Sequence, residues 1–281
     1  MFRIISKQVL SQNIKSYEIQ AKDIAKNAKA GQFVILRLHD KGERIPLTIA
    51  GTDIQKGTVR IIFQETGKTT TELGTLNVGD SVKDFVGPLG QPTEIKNYGT
   101  VVAVAGGVGT AEVLPVIKSL LKAGNKVITI VGARNKDLLI LENELKENST
   151  ELLIATDDGS YGIKGFVTTV LADVISKEKV DIIYAIGPVP MMKAVSNMTK
   201  NHNIETLVSL NPIMVDGTGM CGACRVTVDN KTKFACVDGP EFDGHKVNWD
   251  ELISRLSLFK KCENESFENY KHNPECKCHK K

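Results

Sequence analysis

The sequence predicts a chain of three parts: an antiparallel β-barrel, an α/β domain with a doubly wound parallel sheet, and a small C-terminal domain built around a cysteine-containing loop. Short alternating apolar runs, separated by Gly and Asp turns, fill residues 1–97 and are typical of a barrel. From 98 to 210, buried-strand runs alternate with helical patterns, which indicates a parallel doubly wound sheet. Residues 211–250 carry potential metal ligands, and 251–281 predict one or two helical turns and a charged tail.

The composition excludes several classes of protein. A chain of 281 residues with 41% hydrophobic and 25% charged content is typical of a soluble globular protein with two domains and a small third. A net charge of +3 is too small to predict a nucleic-acid or membrane partner. Charges interrupt the apolar runs near the N-terminus, and no run approaches the roughly 18 apolar residues of a membrane helix. Six cysteines without a leader favour metal ligation in a reducing cytosol, so we expect a cytoplasmic protein.

The barrel region holds four predicted strands, IISKQVLS, SYEIQA, QFVILRLH and TVRIIFQE, and no convincing amphipathic helix. It also holds two candidate cofactor motifs. RIPLT (44–48) follows a predicted strand, and GKTTTEL (67–73) combines a glycine turn with hydroxyl donors and a cation, which suits a pyrophosphate. A local role for the second motif, in which Thr70 caps a short helix, is equally consistent with the pattern.

The α/β region alternates the strand runs TVVAVA, KVITIVGA, ELLIAT and DIIYAI with the helical runs TAEVLPVIKSLLKAG, LLILENELKE and FVTTVLADVISK. After its first strand comes the loop Gly106-Gly107-Val108-Gly109-Thr110. Glycines there let backbone N–H groups approach a pyrophosphate, and the following helix N-terminus adds positive potential. Glu112 occupies the third glycine's position of the standard G-x-G-x-x-G pattern, and a tight turn without a ligand is the alternative.

Three later loops also follow predicted strands, at the carboxyl edge where doubly wound sheets bind ligands. The candidate contacts in two of them are Gly132, Arg134, Gly187, Pro188 and Met191. The third loop holds Asp157 and Asp158, an acidic pair that would repel a 2′-phosphate and so favours NAD over NADP. An ordinary Asp-Gly turn is the alternative interpretation.

The C-terminal loop places potential ligands as Asp216-x4-Cys221-x2-Cys224-x11-Cys236. With cysteine instead of Asp216 this would be the plant-type ferredoxin spacing, which holds a [2Fe–2S] cluster. The loop is rich in glycine, so its backbone can wrap around a small inorganic core, and RVTVDNKTKF (225–234) predicts a hairpin that returns Cys236 to the site. The alternatives are a zinc site, ordinary thiols, and Asp216 as a turn residue.

A nicotinamide delivers two electrons as hydride, whereas a [2Fe–2S] centre accepts one at a time. A cofactor that accepts hydride and releases single electrons is therefore required, and flavin has that property. Hydride transfer needs no catalytic acid or base, and the sequence predicts none.

In this order, the barrel, RIPLT, GKTTTEL, GPLG (87–90), GGVGT, IGPVPMM and the cysteine loop resemble the ferredoxin–NADP reductase superfamily. Within it they resemble the iron–sulfur flavoprotein branch that contains the dihydroorotate dehydrogenase electron-transfer subunit. The resemblance implies FAD in the barrel, NAD(H) at 106–110 and 187–191, and Thr48 near the reactive nitrogen of the flavin. The implied FAD contacts are Arg44, Pro46, Leu47, Thr48, Gly67, Lys68, Thr70 and Thr71.

The sequence departs from the family pattern in the two nucleotide motifs and in the cysteine loop. Leu47 stands where many members have an aromatic residue, and Arg44 is displaced by one residue from the simplest superfamily pattern. Ile186 stands where many reductases have cysteine, and Asp216 where the dihydroorotate branch has cysteine. Asp at the last position is similar to the small subunits of NADH-dependent reduced ferredoxin:NADP oxidoreductases, which are electron-bifurcating enzymes. That resemblance implies a heterodimer in which a larger iron–sulfur flavoprotein subunit meets ferredoxin and NADP.

Two other functions remain open at this level. One is the electron-transfer subunit of an NAD-dependent dihydroorotate dehydrogenase. The other is a nucleotide-binding module in which Asp216 to Cys236 holds a structural zinc. A second potential zinc site, formed by Cys262, Cys276, Cys278 and His279, lies in the C-terminal tail, for which a disordered Lys-rich end is the preferred interpretation.

Overall fold

The computed structural model describes residues 1–272, so Cys276, Cys278 and His279 lie outside the described residues. In chain order the strands are β1 (Phe2–Ser11), β2 (Ile14–Gln20), β3 (Phe33–Arg37), β4 (Arg44–Asp53), β5 (Thr58–Gln64), β6 (Ser81–Val82), β7 (Asp84–Leu89), β8 (Thr100–Gly106), β9 (Lys126–Ala133), β10 (Glu151–Thr156), β11 (Ile163–Lys164), β12 (Ile182–Ile186), β13 (Glu205–Ser209), β14 (Arg225–Val228), β15 (Lys231–Phe234) and β16 (Glu241–Asp243). The α-helices are α1 (Lys22–Asn27), α2 (Lys68–Thr75), α3 (Gly109–Lys122), α4 (Glu142–Glu147), α5 (Val167–Lys177), α6 (Val189–Asn201), α7 (Trp249–Ser257) and α8 (Lys260–His272).

The first seven strands form an antiparallel sheet in the order β6-β1-β2-β5-β4-β3-β7. Only Lys83 separates β6 from β7 in the chain, so the two ends of the sheet meet and it nearly closes into a barrel. Alternate residues point inward and bury an apolar core that includes Tyr17, Leu36, Ile61 and Phe63. The four strands predicted in this region are confirmed.

Two short helices accompany the barrel, although the sequence pattern predicted none. Helix α1 buries only Ile24 and Ala25, and one or two turns are too short to produce a recognisable apolar period. Helix α2 begins at Lys68, inside GKTTTEL, while RIPLT forms the first half of β4.

The second sheet has the order β11-β10-β9-β8-β12-β13-β16. Strands β8 to β13 pair in parallel, with helices α3 to α6 connecting them, as the alternating pattern predicts. The chain proceeds from β8 outward through β9 and β10, and then returns to β12 on the other side of β8. A switch point of this kind opens a crevice at the carboxyl ends of the strands, and there lie Gly106–Thr110 and Gly187.

One predicted helix is shorter than expected. The run 138–147 forms a 3₁₀ turn at Lys136–Leu138 and then the single short helix α4. Leu141, between them, has φ of 61°, a left-handed conformation that interrupts a helix.

The C-terminal segment contacts both sheets. Strand β16 pairs antiparallel with β13, and β14 and β15 form the predicted hairpin, whose turn residues Asp229 and Asn230 both have positive φ. Asn248 caps α7 by accepting a hydrogen bond from the Glu251 N–H at 3.1 Å. Helices α7 and α8 together exceed the one or two turns expected there. No helix among residues 1–272 combines the length and apolar character needed to span a bilayer.

Candidate cofactor sites

A cavity of about 890 Å³ lies between the barrel and the carboxyl edge of the second sheet. Seven of the predicted nucleotide contacts line it: Gly106, Gly107, Gly132, Arg134, Asp157, Pro188 and Met191. On the barrel side the lining includes Gln64 and Thr66, which immediately precede GKTTTEL. The cavity is within the size range of small-molecule and cofactor sites. The predicted sheet loops are thus brought together, next to one of the two barrel motifs.

The glycines of this edge allow chain segments to approach closely. A Cβ on Gly109 would lie 2.4 Å from the carbonyl oxygen of Ile186, and one on Gly106 would lie 2.7 Å from the Met191 sulfur. Gly107 has φ of 57°, and its N–H donates to the Gly132 oxygen at 3.2 Å. A larger residue at Gly109 would therefore push apart the loops that follow β8 and β12.

The acidic pair after β10 is divided between two environments. Asp157 lines the cavity beside Arg134. Asp158 is exposed and accepts a hydrogen bond from the Ser160 N–H at 2.9 Å, and its hydrogen bonds with Ser160 hold the pKa of Asp158 below its ordinary value. One carboxylate and one guanidinium therefore face the cavity together, a mixed arrangement that the sequence pattern alone did not predict.

The first barrel motif lies on β4, and the second lies on α2, which follows β5, the strand that pairs with β4. Arg44 is exposed, whereas Pro46, Leu47 and Thr48 are half-buried. The Thr70 hydroxyl accepts hydrogen bonds from the Thr66 and Gly67 N–H groups at 3.1 and 3.2 Å. Thr70 thus does cap α2, the local role left open by the sequence.

The remaining residues of the second motif form the first turn of α2. The Thr71 N–H donates to the Gly67 oxygen at 3.0 Å, and the first turn carries Lys68 and no acidic residue. A helix start with this charge pattern is compatible with an anionic group.

The four predicted cluster ligands lie in two pairs. The Cys221 sulfur is 3.1 Å from an Asp216 carboxylate oxygen, and the Cys224 and Cys236 sulfurs are 3.2 Å apart. The first pair is near the surface, where Cys221 is exposed, whereas both cysteines of the second pair are buried. Two ligands sharing one tetrahedral metal at ~2.3 Å lie a little under 4 Å apart, so the members of each pair are close enough to bind the same iron after a small separation.

The donor arrangement fits a cluster of two irons better than a single zinc ion. A [2Fe–2S] cluster takes two protein ligands on each iron, whereas zinc needs its ligands to converge on one point. Within residues 1–272 no three Cys, His, Asp or Glu side chains converge in that way. Burial, together with Cys224, raises the pKa of Cys236 to about 12, and a bound metal is what would hold such a pair as thiolates.

The loop geometry also fits a compact metal core. Gly217, Gly219 and Gly222 have φ of 79°, 85° and 66°, which only glycine adopts without strain. A Cβ on Gly217 would lie 2.7 and 2.8 Å from side-chain atoms of Leu89 and Ile35. The loop therefore packs directly against barrel strands β7 and β3.

The Asp216 carboxylate is held in place by the loop backbone. It accepts hydrogen bonds from the N–H groups of Met220 at 3.0 Å and Cys221 at 3.3 Å, and from the Thr218 hydroxyl at 2.9 Å. The hydrogen bond with the Cys221 thiol is the largest of the effects that keep the pKa of Asp216 well below its usual range. A deprotonated, oriented carboxylate is thus available as a ligand.

Two carboxyl groups of interest were not identified as functional residues from the sequence. Glu112, noted only as a departure from the glycine pattern, lies in the first turn of α3, and burial raises its pKa to about 7. Glu241 accepts a hydrogen bond from the Thr93 hydroxyl at 2.6 Å. For Glu112 the only signal in the sequence was its place as a charged residue in the first turn of a mostly buried helix. No local signal marked Glu241.

Models of three known domain families match the chain in the order of its parts. Residues 1–93 match the oxidoreductase FAD-binding domain, 103–197 the oxidoreductase NAD-binding domain, and 211–248 the iron–sulfur cluster binding domain of dihydroorotate dehydrogenase B. Fold and site together define an oxidoreductase with FAD-, NAD- and iron–sulfur-binding domains, which confirms the predicted fold class and cofactor set.

Individual relatives narrow this class. The chain is 49% identical to the dihydroorotate dehydrogenase B (NAD(+)) electron transfer subunit homolog of Thermotoga maritima, covering 95% of this chain and 94% of the relative. It is 32% identical to the corresponding subunit of Desulforamulus reducens, covering 88% and 97%. The chain belongs to the family of dihydroorotate dehydrogenase B electron-transfer subunits and their homologues.

A solved structure also matches almost the whole chain. It is that of an NADH-dependent reduced ferredoxin-NADP oxidoreductase, described in connection with flavin-based electron bifurcation. The TM-score is 0.91 at 48% identity, covering 96% of this chain and 98% of the other. The resemblance that the sequence motifs indicated is therefore confirmed.

Proposed function

We propose that the chain is the small electron-transfer subunit of a heterodimeric, electron-bifurcating NADH-dependent reduced ferredoxin–NADP oxidoreductase. It moves electrons between NAD(H), FAD and a [2Fe–2S] cluster, and exchanges them with a larger iron–sulfur flavoprotein subunit that meets ferredoxin and NADP. The observation that carries the proposal is that Asp216 lies beside Cys221, where it would be the fourth ligand of a two-iron site. The 48% identity to the solved oxidoreductase supports it.

The cofactor contacts follow from the arrangement of the loops. For FAD we propose Arg44, Pro46, Leu47, Thr48, Gly67, Lys68, Thr70 and Thr71. For NAD(H) we propose Gly106, Gly107, Val108, Gly109, Thr110, Gly132, Arg134, Asp157, Asp158, Gly187, Pro188 and Met191. For the cluster we propose Asp216, Cys221, Cys224 and Cys236.

In this proposal the main role of the chain is to position and shield the cofactors, rather than to supply acid–base chemistry. A bound flavin supplies the ability to exchange hydride with nicotinamide and single electrons with iron. The glycine loops after β8 and β12 allow a dinucleotide to approach the backbone, and the N-terminus of α3 adds positive potential for its phosphates. Contact of Gly217 with Ile35 and Leu89 holds the cluster loop on the barrel wall.

The surface beside the cluster loop is suited to a protein partner. Met220 is 89% exposed and Val215 is 45% exposed, and each is adjacent in sequence to one member of the pair formed by half-buried Asp216 and exposed Cys221. Exposed apolar side chains beside a redox centre are consistent with docking of the larger subunit.

We further propose that the parts of the chain are residues 1–97, 98–210, 211–250 and 251–281, and that the heterodimer works in the cytoplasm. A composition suited to reduced cysteines supports this location.

A second function is favoured by the names of the relatives: the electron-transfer subunit of an NAD-dependent dihydroorotate dehydrogenase. The domain model of the cluster segment points to the same branch. Against it stands Asp216, where that branch is expected to have cysteine.

Copurification distinguishes the two functions. A tagged chain, isolated anaerobically from its own cells, should carry flavin and iron–sulfur absorption bands and retain a larger iron–sulfur flavoprotein subunit. The complex should reduce ferredoxin and NAD⁺ together at the expense of NADPH. Dihydroorotate-dependent reduction of NAD⁺ would establish the second function instead, and a colourless chain without flavin or iron would refute both.

A further inference from the structure

Two arginines contact the loop between the first two cysteines of the proposed cluster site. Arg255 donates through Nη2 to the Ala223 oxygen at 3.2 Å, and Arg225 donates through Nη1 to the Gly222 oxygen at 3.1 Å. Gly222 and Ala223 are the only residues between these two ligand cysteines. Each bonded carbonyl group therefore belongs to a residue that is joined by a peptide bond to a proposed ligand.

Arg255 reaches the loop from helix α7, which is anchored by its apolar side chains. Trp249 and Leu252 are buried, and the indole N–H of Trp249 donates to the Gly244 oxygen at 3.0 Å. Trp249, Leu252 and Arg255 follow one another at intervals of three residues, so they are neighbours on the helix surface. Arg255 itself is half-buried. The packing that anchors α7 thus also directs this guanidinium to the cluster loop.

The charges of the two arginines are not neutralised by nearby carboxylates. Asp250, on α7, pairs with Lys193 at 2.6 Å, and Asp238, after β15, lies 3.8 Å from Lys233. Within residues 1–272 neither arginine forms an ion pair with a carboxylate. Two uncompensated positive charges therefore lie at the loop that carries the proposed ligands.

A positive charge in this position has a defined effect on a bound cluster. Reduction of a [2Fe–2S] centre adds one electron, and therefore one negative charge, without requiring a proton. A fixed positive charge stabilises the reduced centre more than the oxidised centre, so it raises the reduction potential. Water and salt screen the exposed Arg225 more strongly than the half-buried Arg255. The larger effect is therefore expected from Arg255.

We propose that Arg255 and Arg225 are positioning residues of the cluster site, which hold the loop between its two cysteines and raise the reduction potential of the bound centre. This inference rests on the proposed function, because it requires iron at Cys221 and Cys224. The competing explanation is that the arginines only hold the loop through their hydrogen bonds, and that their charge has no part.

Substitutions at Arg255 separate charge from hydrogen bonding. Arg255→Gln supplies an N–H donor without a charge, whereas Arg255→Lys keeps the charge. The anaerobic full-length holoprotein is titrated with a reductant, and the reduced [2Fe–2S] centre is quantified by EPR at each potential. At a fixed potential, the ratio of reduced to oxidised cluster should fall about threefold or more in Arg255→Gln. It should stay at the wild-type value in Arg255→Lys.

Two further variants test the second arginine and the specificity of the effect. Arg225→Gln should lower the ratio by a smaller factor. The double variant, with glutamine at both positions, should lower it about tenfold, which corresponds to ~59 mV for a one-electron centre. Arg3→Gln is the matched control, because Arg3 is exposed and also donates to a carbonyl, that of Gly79 at 3.3 Å. Arg3 lies on β1 rather than on the strands that pack against the cluster loop, so its replacement should leave the ratio unchanged.

Three results would overturn the proposal. One is a wild-type ratio in both Arg255→Gln and Arg225→Gln. Another is an equal shift in Arg255→Lys and Arg255→Gln, because the charge would then have no part. The third is a shift in Arg3→Gln as large as that in Arg255→Gln, because net charge alone would then account for it. A reduced wild-type chain without a [2Fe–2S] EPR signal would instead reject the proposed function, on which the inference rests.

Discussion

Replacing Glu241 by glutamine should change how stability depends on pH. Glu241 begins β16 and accepts the Thr93 hydroxyl at 2.6 Å, and burial raises its pKa from 4.5 to about 7. Between these two values the folded chain holds a proton that the unfolded chain has released. Stability therefore falls as pH rises from about 4.5 to about 7.

The size of the effect follows from the pKa. A pKa shift of one unit corresponds to 1.36 kcal/mol, so ionising Glu241 in the folded chain costs at most about 3 kcal/mol. Partial solvent access reduces this, so we expect about 1–3 kcal/mol. Glutamine retains an acceptor for Thr93 but does not ionise. The Tm of Glu241→Gln should thus gain on that of the wild type as pH rises from 5 to 8, by roughly 2–4 °C for each kcal/mol.

Thermal unfolding measured from pH 5 to pH 8, with Trp249 fluorescence as the probe, tests this expectation. The other ionisable groups are the same in both proteins, so their contribution cancels in the difference. Glu94→Gln is the matched control, because Glu94 is a neighbouring glutamate with an exposed side chain. Parallel Tm profiles for Glu241→Gln and the wild type would refute the reasoning.

Three other predictions concern the cofactors. Asp216→Ala should lose or destabilise the cluster but keep FAD. Asp216→Cys should keep a [2Fe–2S] centre with a shifted potential and EPR signal. An unchanged iron–sulfur spectrum in Asp216→Ala would mean that Asp216 is only a turn residue. Gly109→Ala should raise the KM for NADH about tenfold or more, because it forces a Cβ against the Ile186 oxygen. Gly51→Ala, whose Cβ has room, is the control, and equal KM values in the two variants would contradict this prediction. NADH should reduce the flavin at least about tenfold faster than NADPH, a preference of about 1.4 kcal/mol, in stopped-flow bleaching; equal rates would remove the argument from Asp157.

Local periodicity was sufficient to predict the sheets but not every helix. The apolar runs that form β8 and β12 are fully buried, so their pattern was unambiguous. The run 138–147 has an equally apolar start, yet the left-handed φ of Leu141 divides it. Nothing in the identity of a leucine signals such a conformation.

The candidate site was predictable where ligands are close in sequence. Asp216, Cys221 and Cys224 are separated by fixed short spacings, and the hairpin signal accounted for Cys236. The contact between Glu241 and Thr93 joins residues 148 positions apart in sequence, so it depends on how the parts of the chain pack. The role of Thr70 was ambiguous for the opposite reason, because a cap and a phosphate contact require the same residue type.

The C-terminal segment ties the two walls of the cofactor cleft together. Strand β16 is hydrogen-bonded to β13, while the preceding residues bind the barrel side, where Gln91 donates through its N–H to Gly239 at 2.7 Å and through its side chain to Val237 at 2.8 Å. One short stretch of chain therefore clamps both walls, and hinge opening at this end would have to break these bonds. Single-electron tunnelling is steeply sensitive to separation, so a clamp of this kind would favour a fixed distance between a cluster in the C-terminal loop and a flavin in the barrel.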